Sequence, residues 1–404
     1  MLNLKSLGPG LLYAAAAIGV SHLVQSTRAG ADFGLQLIFA VIIANLVKYP
    51  IFKVGPAYTA VTGKSLLEGY QKSGKVVLPI FYLMTLLTMF SVQAAVTVVT
   101  AGLALNIFGL DLSAAQMTLV LLIISSVILL IGKYNILDNF IKLIVIILTI
   151  TTVASVISAW FGTFPKPLPP ISFDISNSTH LFFLVALVGW MPAPMDVPIW
   201  HSMWTLEKGK LEKLTPKETI RDFQIGFIGT AILACCFLAL GHLVMYRSGI
   251  SFAPQAARFA GQLIELYSRA LGDWSKPLIS IAAFTTMFST TLTCLDAFPR
   301  ILAEADRITF KKSKTYILWL ITLTLGAYLL VELFLQSMRA FVDFATTLSF
   351  VVGPIYAYFN YKILTSSEIP KQFRGAKWEL YLFKVGLIFL SFFALYYLLL
   401  KFFL

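Results

Sequence analysis

Runs of about 20 apolar residues recur along the whole of this 404-residue chain, and no other feature narrows its possible folds as much. Each run is long enough to cross, as a helix, a hydrocarbon core of roughly 30 Å. A single secretory signal or tail anchor does not explain such repetition. The composition agrees, with 58% hydrophobic and 12% charged residues against the usual soluble balance of roughly half apolar and a quarter charged. The chain therefore reads as an all-α polytopic membrane protein, with the lipid bilayer as its first partner.

Hydropathy and the Gly, Pro and charge clusters between runs place eleven spans, at 8–31, 35–60, 76–107, 114–132, 138–163, 179–206, 221–247, 275–303, 313–335, 338–364 and 379–403. No soluble domain fits in the loops that remain. The net charge of +12 comes from lysines and arginines in short loops such as "EKGKLEKLTPKE" and "DRITFKKSK". They lack the basic stripe and interleaved aromatics of a nucleic-acid surface, so no nucleic-acid partner is expected. They act instead as topology signals. Most fall on one side when the N-terminus is cytoplasmic, which gives a multi-pass protein of the cell membrane with an external C-terminus.

Two spans are poor helices. The first carries Gly19 in "AIGVSHL", and the sixth carries Pro192, Pro194 and Pro198 in "GWMPAPMDVPIW" just after Gly189. Backbone groups freed within a bilayer must face protein or a water-filled cavity. The breaks lie five spans apart, at the starts of two five-span halves. An odd repeat length inverts the second half, the plan of secondary transporters whose discontinuous helices meet near the midplane. The expected units are a first inverted repeat at 1–165, a second at 166–366 and a peripheral eleventh span at 367–404. A site between the breaks would draw on Gly19, Ser21 and His22 from the first and on Trp190, Met191 and Ala193 from the sixth.

"GPGLLYAAAAIG" at the start, "AGADFG" closing the first span, "VTGKSLLE" after the second and the Met191-Pro192 pair resemble the NRAMP family of divalent-metal transporters. The resemblance implies a LeuT-type fold with two inverted five-helix repeats plus an eleventh helix. It also implies a first-span Asp-Pro-Gly-Asn motif whose Asp and Asn ligate metal. Here that stretch reads Gly19-Val20-Ser21-His22, so the carboxylate is missing. In the sixth span the family's Met-Pro-His becomes Met191-Pro192-Ala193, and the family's glutamine on the tenth span falls near Val351 or Val352. Only the methionine of the principal ligand set remains.

A dehydrated divalent cation needs charged or strongly polar oxygen ligands. Met191 is soft and neutral, so a metal reading must recruit Asp196. Asp196 can equally cap the half-helix that follows Pro194. His22 is either a satisfied core residue or a contact to substrate or proton, since imidazole titrates near neutrality. Replacing a carboxylate by glycine and an amide by a potential cation makes the site less negative. The favoured substrate is therefore a small inorganic anion such as bicarbonate, with Mn2+ or Mg2+ carried by Met191 and Asp196 as the alternative. The coupling ion, H+ or Na+, stays open.

Arg28 is a snorkelling interfacial arginine, a partner for Asp32, or an attractor of anions at the outer vestibule. Lys48 reads as an interface anchor. Asp296, four residues before Arg300, reads as an ion pair, a gate or a proton relay. Thr290, Thr291 and Thr293 bind sodium or their own helix backbone. The three cysteines, Cys235, Cys236 and Cys294, lie in apolar segments without metal-ligand spacing. No cofactor is implied, and the chain carries no His-Glu-x-x-His, Gly-x-Ser-x-Gly or phosphate-loop motif of an enzyme or ATP-driven pump. It also lacks a filter-like repeated loop of a channel. A non-transporting receptor on the same fold stays open at this point.

Overall fold

A computed structural model describes residues 8–132, 134–162, 172–211, 215–246, 248, 251–312 and 314–403. The first span is split into α1 (Pro9–Ala17), a π-helical segment (Val20–Ser26) and α2 (Thr27–Phe33). Gly34, at φ 65°, turns the chain into α3 (Ile38–Thr62). Next come α4 (Leu66–Ser73), α5 (Val77–Phe108), α6 (Ala114–Ile131) and α7 (Tyr134–Phe161). The sixth span is likewise split, into α8 (Ser178–Trp190) and α9 (Val197–Leu211). It is followed by α10 (Pro216–Val244), α11 (Ala256–Leu271), α12 (Ser275–Phe310), α13 (Tyr316–Phe334), α14 (Met338–Thr365) and α15 (Lys377–Phe403). Every expected span has its helix, and both expected breaks are present.

Local chemistry sets the ends. Ser113 with Gln116 and Thr215 with Glu218 form reciprocal capping boxes at the starts of α6 and α10. Asn177 accepts from the amides of Thr179 and His180 to start α8. The loops hold more order than hydropathy indicates. The amphipathic helix α11 buries Phe259, Leu263 and Tyr267 between longer helices, and α4 is set by a Ser65 cap. Both are too short to register as spans.

Two layers of packing position the breaks. The first span lies along α10 at van der Waals distance, and glycine makes this possible. A Cβ on Gly30 would fall 1.9 Å from the Leu238 carbonyl, and one on Gly226 would fall 2.2 Å from the Gly10 carbonyl. Such small-residue contacts let backbones touch where lipid supplies no hydrophobic drive. In the same way α3 meets α9, and together these helices surround the two breaks on one side. On the other side α5 packs along α12, and α14 lies against α8.

Candidate functional site

At the first break α1 stops at Ala17, and Gly19 takes an extended backbone (φ −143°, ψ −129°) before the chain re-enters a wide helical turn. Gly19 sits against α12, where a Cβ would lie 3.0 Å from the Thr290 side chain. Ser21 is the hinge pin of the site. Its hydroxyl is within 2.9 Å of the Ala17 carbonyl and 3.2 Å of the Pro192 carbonyl, joining the first break to the sixth. It also lies 2.7 Å from His22 Nδ1.

His22 does not face the sixth span directly. Its ring is fully buried against α10, with Nε2 3.0 Å from the Thr230 carbonyl and Phe237 edge-on at 6.4 Å. A carbonyl only accepts, so Nε2 carries a proton. The neutral ring then accepts the Ser21 hydroxyl at Nδ1. The protonated ring donates to the Ser21 oxygen, whose own hydrogen turns to Ala17 or Pro192. Both protonation states are hydrogen-bonded in one geometry.

At the sixth break, Trp190, Met191, Ala193 and Asp196 are all buried. Between the breaks lies a cavity of about 10 Å3, lined by Ala17, Val20, Ser21, Trp190, Pro194 and Thr290 among others. That volume holds about one water molecule, so nothing larger fits between the breaks in this conformation. The Nε1 groups of Trp190 and Trp200 and Asp196 Oδ2 have no hydrogen-bond partner. The Asp196 carbonyl accepts the amides of Ile199 and Trp200, which starts α9. Asp196 therefore begins α9 through its backbone, and its buried carboxyl group keeps Oδ2 open. Among the described residues no group of three His, Cys, Asp or Glu side chains could hold a metal ion.

Lys48 overturns the sequence expectation. It is fully buried near the middle of α3, and its Nζ donates to the carbonyls of Val188 (2.7 Å) and Gly189 (3.0 Å). These are C-terminal carbonyls of α8, left without intrahelical partners by the break, and the Met191 amide shares the Val188 oxygen. An ammonium here meets both the open acceptors and the negative end of the half-helix dipole. The signal in the sequence was its depth: a lysine so far inside an apolar run cannot reach an interface unless it snorkels.

Arg28 also differs from one expected reading. Its guanidinium makes a two-pronged pair with Asp343 of α14 (2.7 and 3.1 Å), while Asp32 faces Arg339 at 3.9 Å. Gln25 joins the pair, accepting from Arg28 at 3.0 Å and donating to Asp343 at 2.8 Å. Arg28 and Asp343 line a cavity of about 750 Å3 between the first, sixth, tenth and eleventh spans. Asp343 carried no sequence signal, whereas Gln25 stands out in the sequence as one of the polar residues gathered in the broken first span with Ser21, His22 and Arg28. Asp296 stands apart from the breaks, held by Arg300 (2.8 and 3.0 Å) and the Tyr316 hydroxyl (2.7 Å), the ion pair expected of it. Thr290 and Thr291 donate to carbonyls of their own helix.

Two facing broken helices among apolar spans define a LeuT-type membrane transporter. The structure superposes on the manganese transporter of Eremococcus coleocola with a TM-score of 0.71 at 14% identity, covering 97% of this chain and 85% of that one. MhsT in complex with L-phenylalanine gives a TM-score of 0.63 at 15% identity, covering 96% and 97%. The sequence pattern described as Natural resistance-associated macrophage protein-like matches residues 10–400, and the chain belongs to that family, Nramp. It is also 37% identical over 397 residues to an uncharacterized protein of Pasteurella multocida (strain Pm70), covering 96% of this chain and 91% of the relative. The protein is a multi-pass membrane transporter and not an enzyme.

Proposed function

We propose that this Nramp-family protein carries a small inorganic anion, with bicarbonate the favoured substrate, by alternating access around the two breaks. The observation that carries the reading is the Lys48 ammonium buried at the sixth break, opposite a first break where glycine stands in place of the family's carboxylate. A dication at the breaks would be repelled by an ammonium beside them, in proportion to its double charge. A neutral thioether such as Met191 does not offset that. An anion is attracted by the same charge and by the free indole N–H groups of Trp190 and Trp200.

The substrate site is formed by Gly19, Ser21, His22, Trp190, Met191 and Ala193, with Arg28 in the gating role; of the other two coupling or gating candidates, Asp196 stands at the sixth break with an open oxygen and Asp296 is held by Arg300 away from the breaks. Arg28 with Asp343 and Gln25 closes the route from the outer cavity, so the pair must part for entry. The helices carrying the breaks, the first and second with the sixth and seventh spans, rock against the rest. Residues 1–165 and 166–366 form the inverted halves, with 367–404 peripheral. The N-terminus is cytoplasmic and the membrane is the plasma membrane. A coupled proton would travel on His22 and Ser21, whose hydrogen bonds suit both protonation states.

One observation favours the metal reading: Asp196 Oδ2 is buried and unpartnered, and with Met191 it offers an oxygen and a sulfur donor to Mn2+ or Mg2+. Manganese is also the cargo of the Eremococcus transporter. The deciding experiment is uptake into proteoliposomes. An inward bicarbonate gradient should alkalinise the lumen above empty vesicles, with no saturable Mn2+ or Mg2+ entry. Saturable metal entry without alkalinisation would replace the anion by the metal.

A further inference from the structure

In transporters built on broken helices, the C-terminal end of a half-helix and its unwound carbonyls are where coupling cations bind. In this chain that place is taken. We propose that the Lys48 ammonium is a tethered cation that fills the coupling-cation position at the end of α8, so that transport requires no free metal ion or sodium there. The assignment uses the proposed anion reading only in its transport arm.

Three features carry it. Lys48 Nζ lies on the carbonyls of Val188 and Gly189 at 2.7 and 3.0 Å, two oxygen ligands of the kind a monovalent or divalent ion would use. Among the described residues no carboxylate pairs with this lysine, so the half-helix end and not a salt bridge stabilises its charge. The side chain comes from α3, which packs against both halves of the sixth span, so the charge is delivered by the helices that hold the break and stays with them. The third ammonium proton is not taken by a described side chain. Asn45, one turn earlier on the same helix, leaves its Oδ1 unpartnered beside it in the chain.

A simple structural cap makes a different prediction from a tethered cation. A cap holds α8 together and nothing soluble replaces it. A tethered cation leaves, when truncated, a site that a free cation can enter.

The test uses the purified full chain in detergent and in proteoliposomes. For the wild type, replacing Na+ by choline should leave the thermal midpoint and bicarbonate-driven alkalinisation unchanged, and Mn2+ should not stabilise it. For Lys48→Ala in choline buffer, alkalinisation should fall at least tenfold. Adding methylammonium or Na+ should then raise the midpoint saturably by about 2 °C or more and restore part of the rate. Saturable stabilisation of the wild type by Na+ or Mn2+ overturns the proposal, as does a folded Lys48→Ala that no cation stabilises. If Lys48→Ala does not fold, the wild-type cation titrations decide alone. The two readings fail separately: a wild type indifferent to cations that nevertheless fails to move bicarbonate sinks the anion and leaves the tethered cation standing.

Discussion

The two breaks solve the same problem in opposite ways. At the first, the polar groups released by Gly19 are satisfied close by: Ser21 reaches Ala17, the ring of His22 is bonded at both nitrogens, and Ser26 and Thr27 fold their hydroxyls back onto the wide turn. At the sixth, three prolines remove donors, a lysine from another helix holds the loose carbonyls, and Trp190, Asp196 and Trp200 each keep an unpartnered polar atom. Buried polar groups without partners carry a penalty of roughly 1–3 kcal/mol each. One break is thus a completed network, and the other holds the open donors and acceptors that a substrate would meet.

That contrast is broken most directly at His22. His22→Ala should abolish uptake, by about a hundredfold or more, while size-exclusion profiles show a folded protein; normal uptake by the folded variant would remove histidine from the mechanism. The sixth break should respond in the reverse sense. Asp196→Asn removes a buried carboxylate with an open oxygen, so the thermal midpoint should hold or rise, and bicarbonate uptake should stay within about threefold. Loss of uptake together with loss of metal binding would make Asp196 a ligand.

A smaller effect is expected at the cavity lined by Arg28 and Asp343. Arg28→Gln leaves Asp343, which keeps about a third of its side chain exposed, without its partner. The cavity should then be easier to open, read as a severalfold faster reaction of a cysteine placed at Ala17 with a membrane-impermeant thiol reagent applied outside. Protection unchanged by the substitution would show that the pair is not the gate. Asp296→Asn should matter least. Its pair with Arg300 is an i,i+4 contact with a partly exposed partner, worth up to about 1 kcal/mol, and uptake should stay within about twofold. A large loss would revive the proton-relay reading.

The spans and both breaks were legible because hydropathy and the Gly and Pro positions act locally. The identity of the partners was not. Arg28 and Asp343 are joined across a sequence separation of 315 residues, and His22 and Thr230 across 208. Asp32, four residues from Arg28, looked like its partner only because it was near in the chain. The close approach of α2 to α10, where Gly30 and Gly241 admit backbone to backbone, is also a property of the fold. The short helices α4 and α11 escaped because their polar faces keep them well below the apolar content and length of a span.

By itself the amino-acid sequence determined that this chain spans a membrane as helices, that two of them are interrupted, and that no carboxylate stands at the first interruption, since each rests on the residue types within one segment. Only the tertiary structure decided what meets the interruptions. Lys48 became a buried donor to the carbonyl end of α8 instead of an interfacial anchor because the fold brings α3 against the break, and no neighbour in sequence could announce that. In a low-dielectric interior the position of one charge outweighs the count of many, and position is a property of the fold.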